Sequence, residues 1–317
     1  MASLTGSGPA APGPAGIASP PLTVKPVSRE RRARPIGRSL LVHGFILAIL
    51  VIYAAPMIGV ALTSLQSNAE IAARGVWHIP ENASLANFTD VMANTPLPRY
   101  LLNSFLVTLP ATFFSVLGGV LLGYVFSQFR FPFAELLFLL VIAGMFFPPQ
   151  AMLIPLFRFF NSPIEIAGFQ ILPALYDTVY PMILIHISLG LAITTLLLRN
   201  FMSALPSSLR EAAIVDGAGE WSVLFRVILP LLLPALAVLA TLQFTWIWND
   251  FLWPLVLTRS EESKTVMAGI NALKGQYNVA WASQAAMAVI ASIPTIVIFV
   301  LFQRYFIAGL TMGSVKE

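Results

Sequence analysis

The 317-residue chain is 57% hydrophobic and only 10% charged, with a mean hydropathy of +0.82, against roughly 25% charged residues in a typical soluble domain. These values exclude an ordinary soluble protein and point to an all-α integral membrane protein. The absence of cysteine excludes disulfides, thiolate catalysis and cysteine metal sites. His43, His78 and His186 stand too far apart for ligand-like spacing, so no metal is expected.

Residues 1–36 are rich in Ala, Pro, Gly and Ser and carry no apolar periodicity. They are expected to form a disordered cytoplasmic tail ahead of one transmembrane domain, 37–317. The basic cluster at 29–38 precedes a stretch long enough to span, so the first helix is expected to stay in the mature protein rather than leave as a signal peptide.

Cutting the chain at its charges leaves six windows without Asp, Glu, Lys or Arg: 39–69, 100–129, 136–157, 178–198, 227–249 and 275–303. Each holds the roughly 20 apolar residues that cross a bilayer core. Six helices follow, at about 40–64, 101–127, 136–157, 179–199, 231–252 and 284–304. With the N-terminus inside, twelve Lys and Arg residues lie on inner segments and six on outer ones. That bias puts both termini in the cytoplasm and assigns the pI near 9.6 to topology rather than to nucleic-acid binding.

The outer connection 66–99 reads equally as a solvated loop or as a docking surface for an external partner. In the second helix, Gly119 and Gly123 are four apart and suit close approach of another helix. The third window contains "FFPPQAMLIP", whose Pro148, Pro149 and Pro155 make an unbroken helix untenable. Backbone freed at that depth needs protein or a water-filled cavity beside it. Pro148 and Gln150 are therefore candidate pathway residues, with a packed kink as the other reading.

Between the fourth and fifth helices lies a half-polar loop, 206–230, on the cytoplasmic side. Ser208-Leu209-Arg210-Glu211 fits a capping box. Gly217 can end a helix with positive φ. A second short helix is expected from about 220, with Pro230 and Pro234 where it meets the fifth span. Leu209, Ala212, Ala213, Trp221, Leu224 and Phe225 would form an apolar knob, suited either to insertion into a groove or to lying among lipid headgroups.

"EAAIVDGAGEWSVLFRVILP", residues 211–230, resembles the EAA loop of the permease subunits of binding-protein-dependent ABC importers. Glu211, Ala212, Ala213, Gly217, Ile228, Leu229 and Pro230 stand in that family's places. "NSFLVTLPATFFSVLGGVLLGYVFSQFRFP" from Asn103, "WNDFLWPLVL" from Trp248 and "QRYFIAGLTMGSVK" from Gln303 are similar to the carbohydrate branch, in particular the smaller six-helix permease of maltose-type systems. Gly219 departs from the family, where Ser or Thr is frequent.

The resemblance implies a type I ABC importer permease fold in a bacterial inner membrane. It implies ATPase coupling through Glu211, Ala212, Ala213, Asp216, Gly217 and Pro230. The partners it implies are a second, different permease, two cytoplasmic ATPases holding ATP and Mg, and an extracytoplasmic solute-binding protein. It also implies that the C-terminal run Gln303–Lys316 approaches the ATPases, and that this chain binds no cofactor and catalyses nothing. In keeping with that division, the dipeptide Gly-Lys that closes a Walker A loop occurs nowhere.

In the fifth helix, Gln243, Trp246, Asn249, Asp250 and Trp253 recur at spacings that put most of them on one face, a mixture that suits sugar hydroxyls and C–H faces. The other reading places them near the outer interface, where Trp belts are usual. An ion-coupled carrier would need buried ionisable relays, which the spanning windows lack. A membrane enzyme would need clustered His, Asp or Glu. An ABC importer for a non-carbohydrate solute is permitted by the loop and opposed by the flanking motifs.

Overall fold

The computed structural model describes residues 6, 8, 36–166, 169–273 and 280–312. The expected tail therefore lies almost wholly outside the described residues, as do residues 313–316 of the C-terminal run. Contacts divide the chain into two units, 1–52 and 53–317. In the first, the described helix is the start of α1 (Ile36–Ser64), strongly apolar from Leu40 onward apart from His43. All packing below lies within the second.

In chain order there follow α2 (Asn68–Arg74), α3 (Ala86–Asn94), α4 (Leu97–Gln128), α5 (Ala134–Ala143) and α6 (Pro149–Asn161). Next come a small antiparallel hairpin, β1 (Ile164–Ile166) with β2 (Phe169–Leu172), then α7 (Tyr180–Ser203) and α8 (Ser207–Val215). The chain continues through α9 (Glu220–Ser222), α10 (Leu229–Trp248), α11 (Leu252–Leu257), α12 (Val266–Ala272) and α13 (Trp281–Met312). Among the described residues, five helical runs are long and apolar enough to span, six when the bent pair α5 and α6 counts as one span, in keeping with the all-α six-helix architecture.

That bent pair is not the single helix drawn at 136–157. α5 runs through a tight turn at Gly144–Phe146, breaks before Pro148, and resumes as α6 at an angle of 97°. Proline explains the break: Pro148 caps α6 with extended backbone and Pro149 opens it, so neither donates to a preceding turn.

α4 against α7 forms the main helix pair. A Cβ at Gly119 would collide with Thr194, and one at Gly123 would lie 3.0 Å from the Arg199 amide nitrogen. Without side chains there, the backbones approach closely enough for Thr194 Oγ1 to donate to the Ser115 carbonyl at 2.8 Å. An inner cluster, including Val120, Tyr124, Leu198, Met202, Val223 and Leu224, lies at the cytoplasmic end. Two others, around Trp248 and around Trp253, fill the outer half.

The outer end is closed by loop 258–265. Asn103 Nδ2 donates to the carbonyls of Glu262 at 2.7 Å and Lys264 at 2.8 Å, while Ser104 Oγ accepts from the Val266 amide at 2.9 Å. Asp177, in left-handed backbone at φ 62°, accepts through Oδ1 from the amides of Arg259 and Ser260 at 2.7 and 2.9 Å and from the Ser263 hydroxyl at 2.5 Å. Burial pushes the Asp177 carboxyl up, but the hydrogen bonds from Ser263, Arg259 and Ser260 outweigh it and hold the pKa at about 2.

Candidate functional site: the cytoplasmic loop between two spans

The loop that follows α7 begins at Pro206, whose extended backbone lets α8 start at Ser207. The expected capping box is therefore absent: Ser208 falls inside the helix, and no side chain caps its start. Proline set the entry one residue earlier than Ser208 could. At the other end the chain closes in a Schellman motif. The Ala218 amide donates to the Ala213 carbonyl and the Gly217 amide to the Ile214 carbonyl, each at 2.9 Å. Gly217 takes φ 85°, open to glycine and barred to proline.

A separate second short helix is not formed either. Gly219 takes the N-cap position of α9 without a side-chain bond. From Glu220 the helix runs without a break to Trp248, passing through a widened π turn at Val223–Ile228. Pro230 explains the widening, since its ring and missing amide disfavour a normal turn just before it. The loop thus consists of one isolated helix, α8, and the first turns of the helix that becomes the fifth span.

α8 turns its charge and much of its apolar surface outward. Glu211, Ala212, Asp216 and Gly217 are exposed, and Val215 is 87% exposed. Ala213 and Leu224 instead pack into the inner cluster, so the expected knob is divided between crest and root. Trp221 and Phe225 stack outside it, ring centroids 6.0 Å apart. Beside the crest a polar cleft of about 300 Å³ is lined by Ser127, Gln128, Arg130, Ser203, Ser207 and Glu211, among others.

The root is held by charge. Glu220 pairs with Arg210 through Oε1 and accepts from Arg210 Nε through Oε2 at 3.3 Å. The Tyr124 hydroxyl of α4 donates to Glu220 Oε2 at 2.5 Å. The Arg210 guanidinium also lies 5.2 Å from the Phe129 ring centre, just past the end of α4. Tyr124 and Glu220 are 96 residues apart, and nothing in their spacing shows that they meet.

The sequence candidates of the fifth span are dispersed. Gln243 is buried, its Oε1 beside Gly190, while Trp246 is 76% exposed and Asn249 is exposed. α10 stops at Trp248, so Asp250 sits in the connection to α11, short of the helix end drawn at 252. There Asp250 Oδ2 meets His186 Nε2 of α7 at 3.2 Å, and Trp253 is buried in the outer core rather than set in an interfacial belt. The His186 contact joins residues 64 apart and was not legible in their spacing. Pro148 and Gln150, at the break before α6, are exposed and distant in the chain from these groups. Among the described residues, no group of three His, Asp or Glu could hold a metal.

Five apolar helical runs, a bent sixth helix pair and an outward-turned helix between spans define a multi-pass membrane protein. A family model described as "binding-protein-dependent transport system inner membrane component" matches residues 115–311, and the chain belongs to that family. It is thus a permease subunit of the ABC importer class. An osmoprotective compounds uptake permease protein of Synechocystis sp. is 33% identical over 297 residues, covering 92% of this chain and 96% of the relative. An arabinooligosaccharides transport system permease protein of Halalkalibacterium halodurans is 31% identical over 291 residues, 90% of this chain and 99% of its own length. A crystal structure of a bacterial ABC transporter involved in the import of the acidic polysaccharide alginate superposes with a TM-score of 0.68. It covers 85% of this chain and 98% of that one at 24% identity, a likeness of fold.

Proposed function

We propose that this chain is the membrane permease through which a sugar, oligosaccharide or polyol enters a bacterial cell, moved by ATP hydrolysed on partner subunits. The solute is handed over by an extracytoplasmic binding protein, a second and different permease completes the path, and two cytoplasmic ATPases carry ATP and Mg. The chain itself binds no cofactor and sits in the inner membrane. The carbohydrate names of relatives, arabinooligosaccharides and diacetylchitobiose among them, support the substrate class.

The observation that carries the reading is the exposed crest of α8. A membrane chain with 10% charged residues turns Glu211 and Asp216 to the cytoplasm beside Ala212, Val215 and Gly217, on a helix closed by a rigid Schellman turn. Exposed apolar and charged groups on a rigid knob suit a soluble partner's groove. Glu211, Ala212, Asp216 and Gly217 make that contact, Ala213 carries it inward by packing on the inner cluster, and Pro230 marks where the motion enters the fifth span. Gln243, Trp246, Asn249, Asp250, Pro148 and Gln150 line the solute path.

The test is ATP-dependent uptake of a sugar panel in liposomes holding the chain with its partner permease, ATPase and binding protein. Glu211→Lys reverses a crest charge and Gly217→Pro forbids φ 85°, so each is expected to lower uptake by about tenfold or more while the membrane subunits stay folded. Uptake that persists without ATP, or survives both changes, sinks the importer reading.

A further inference from the structure

We infer that Glu220 is a positioning residue that ties α8 to two membrane helices at once, so that movement of α8 passes together to α4 and to the start of the fifth span. The inference rests on the importer reading above and concerns how its loop transmits force.

Three elements converge on one carboxylate. Arg210 brings α8, Tyr124 brings α4, and Glu220 itself is the first residue of the helical run that ends at Trp248. Around it on α8, Leu209, Glu211, Ala212, Ile214 and Val215 are exposed, whereas Arg210 is half-buried and turned to the root. The ring of Tyr124 is buried in the inner cluster and meets Phe129 edge-on at 5.7 Å, and Phe129 in turn faces Arg210. Any displacement of α8 that carries Arg210 therefore pulls on Glu220 and on the end of α4 in the same step. Hydrogen bonds with ionised partners are the stronger kind and hold their geometry under load.

What lies downstream of Glu220 gives the pull somewhere to go. The π turn at Val223–Ile228 stands between Glu220 and Pro230. A π turn is a register fault that a helix can tighten or shift at small cost, and proline four residues apart at 230 and 234 concentrates bending there. α9 can thus swing with α8 while the span beyond Pro230 follows through the bend. A bridge that merely braced the loop would not need to reach a second spanning helix.

The experiment uses the assembled importer in liposomes, with Glu220→Gln, Tyr124→Phe and the double variant, and reads solute taken up per ATP hydrolysed. Glu220→Gln keeps the shape and removes the charge; Tyr124→Phe removes one hydroxyl. Each is expected to lower the ratio by about tenfold or more, the scale of losing a hydrogen bond to a charged group, and the double variant to fall no further than the worse single. A ratio unchanged in both single variants overturns the inference, even if thermal stability drops. Should Glu220→Gln fail to assemble, Tyr124→Phe decides by the same ratio. A wild type without ATP-driven uptake brings down the importer reading and this one together, whereas a coupled wild type with unaffected variants sinks only the bridge.

Discussion

The two ends of the molecule use similar residues to opposite ends. At the outer end, Asp177, Asn103, Ser104 and Ser263 turn inward and satisfy the backbone of loop 258–266. At the inner end, Glu211 and Asp216 face out, while Arg210, Glu220 and Tyr124, with the Arg199–Glu135 pair, serve the chain itself. The difference teaches that a polar residue in this chain must be judged by where its hydrogen bonds go. At the outer end, bonds that close within the chain report on stability; at the inner end, the exposed crest and the bridge at its root report on coupling to a partner.

The largest effect that would break the comparison is at Asn103, which is 2% exposed and donates to two loop carbonyls. Asn103→Ala leaves both without that donor and is expected to cost about 2–3 kcal/mol, seen as a fall of several degrees in Tm in detergent. Uptake per ATP should stay as in the wild type. A variant with unchanged Tm and a lowered ratio would mean that the outer end also carries coupling, and the division would collapse.

A pH scan sharpens the same point at Asp177. Its folded pKa, about 2, lies below the ordinary 3.8, so the stability it contributes is present above about pH 4 and is lost as pH falls from there through about 2. Asp177→Asn keeps a residue that tolerates φ 62°. It is expected to lower Tm at neutral pH by the equivalent of about 1–2 kcal/mol and to flatten the decline between pH 4 and 2. An equally steep decline in the variant would place the acid-sensitive group elsewhere.

Much of the scaffold was legible because membranes leave few options. A charge-free window must be helical, Gly119 and Gly123 must meet a neighbour, and Pro148-Pro149 must interrupt the third crossing. Gly217 was legible for the same kind of reason, a backbone angle few residues accept. What escaped was set by groups far apart in the chain. Tyr124 and His186 looked like ordinary span residues until α4 and α7 carried them to Glu220 and Asp250. The capping box failed on a nearer signal: Pro206 directly before Ser207 favours a helix opening there, and Pro230 with Pro234 foreshadowed the widened turn that fused two expected helices into one.

The smallest expected effect sits on the border between the two kinds of residue. Gly219 caps α9 with φ −74° and ψ 161°, angles any residue adopts, and a Cβ there would meet open space. The free amides of Trp221 and Ser222 lack a side-chain acceptor at the cap position. Gly219→Ser supplies one and is expected to stabilise the first turn by a few tenths of a kcal/mol, about a degree or less in Tm. If Glu220 transmits the motion of α8, a stiffer turn beside it should leave uptake per ATP intact or slightly raised, because the carboxylate is better held. A raised Tm with a lowered ratio would instead show that α8 needs a slack joint at Gly219, and would move the working hinge from the π turn to the two glycines before it.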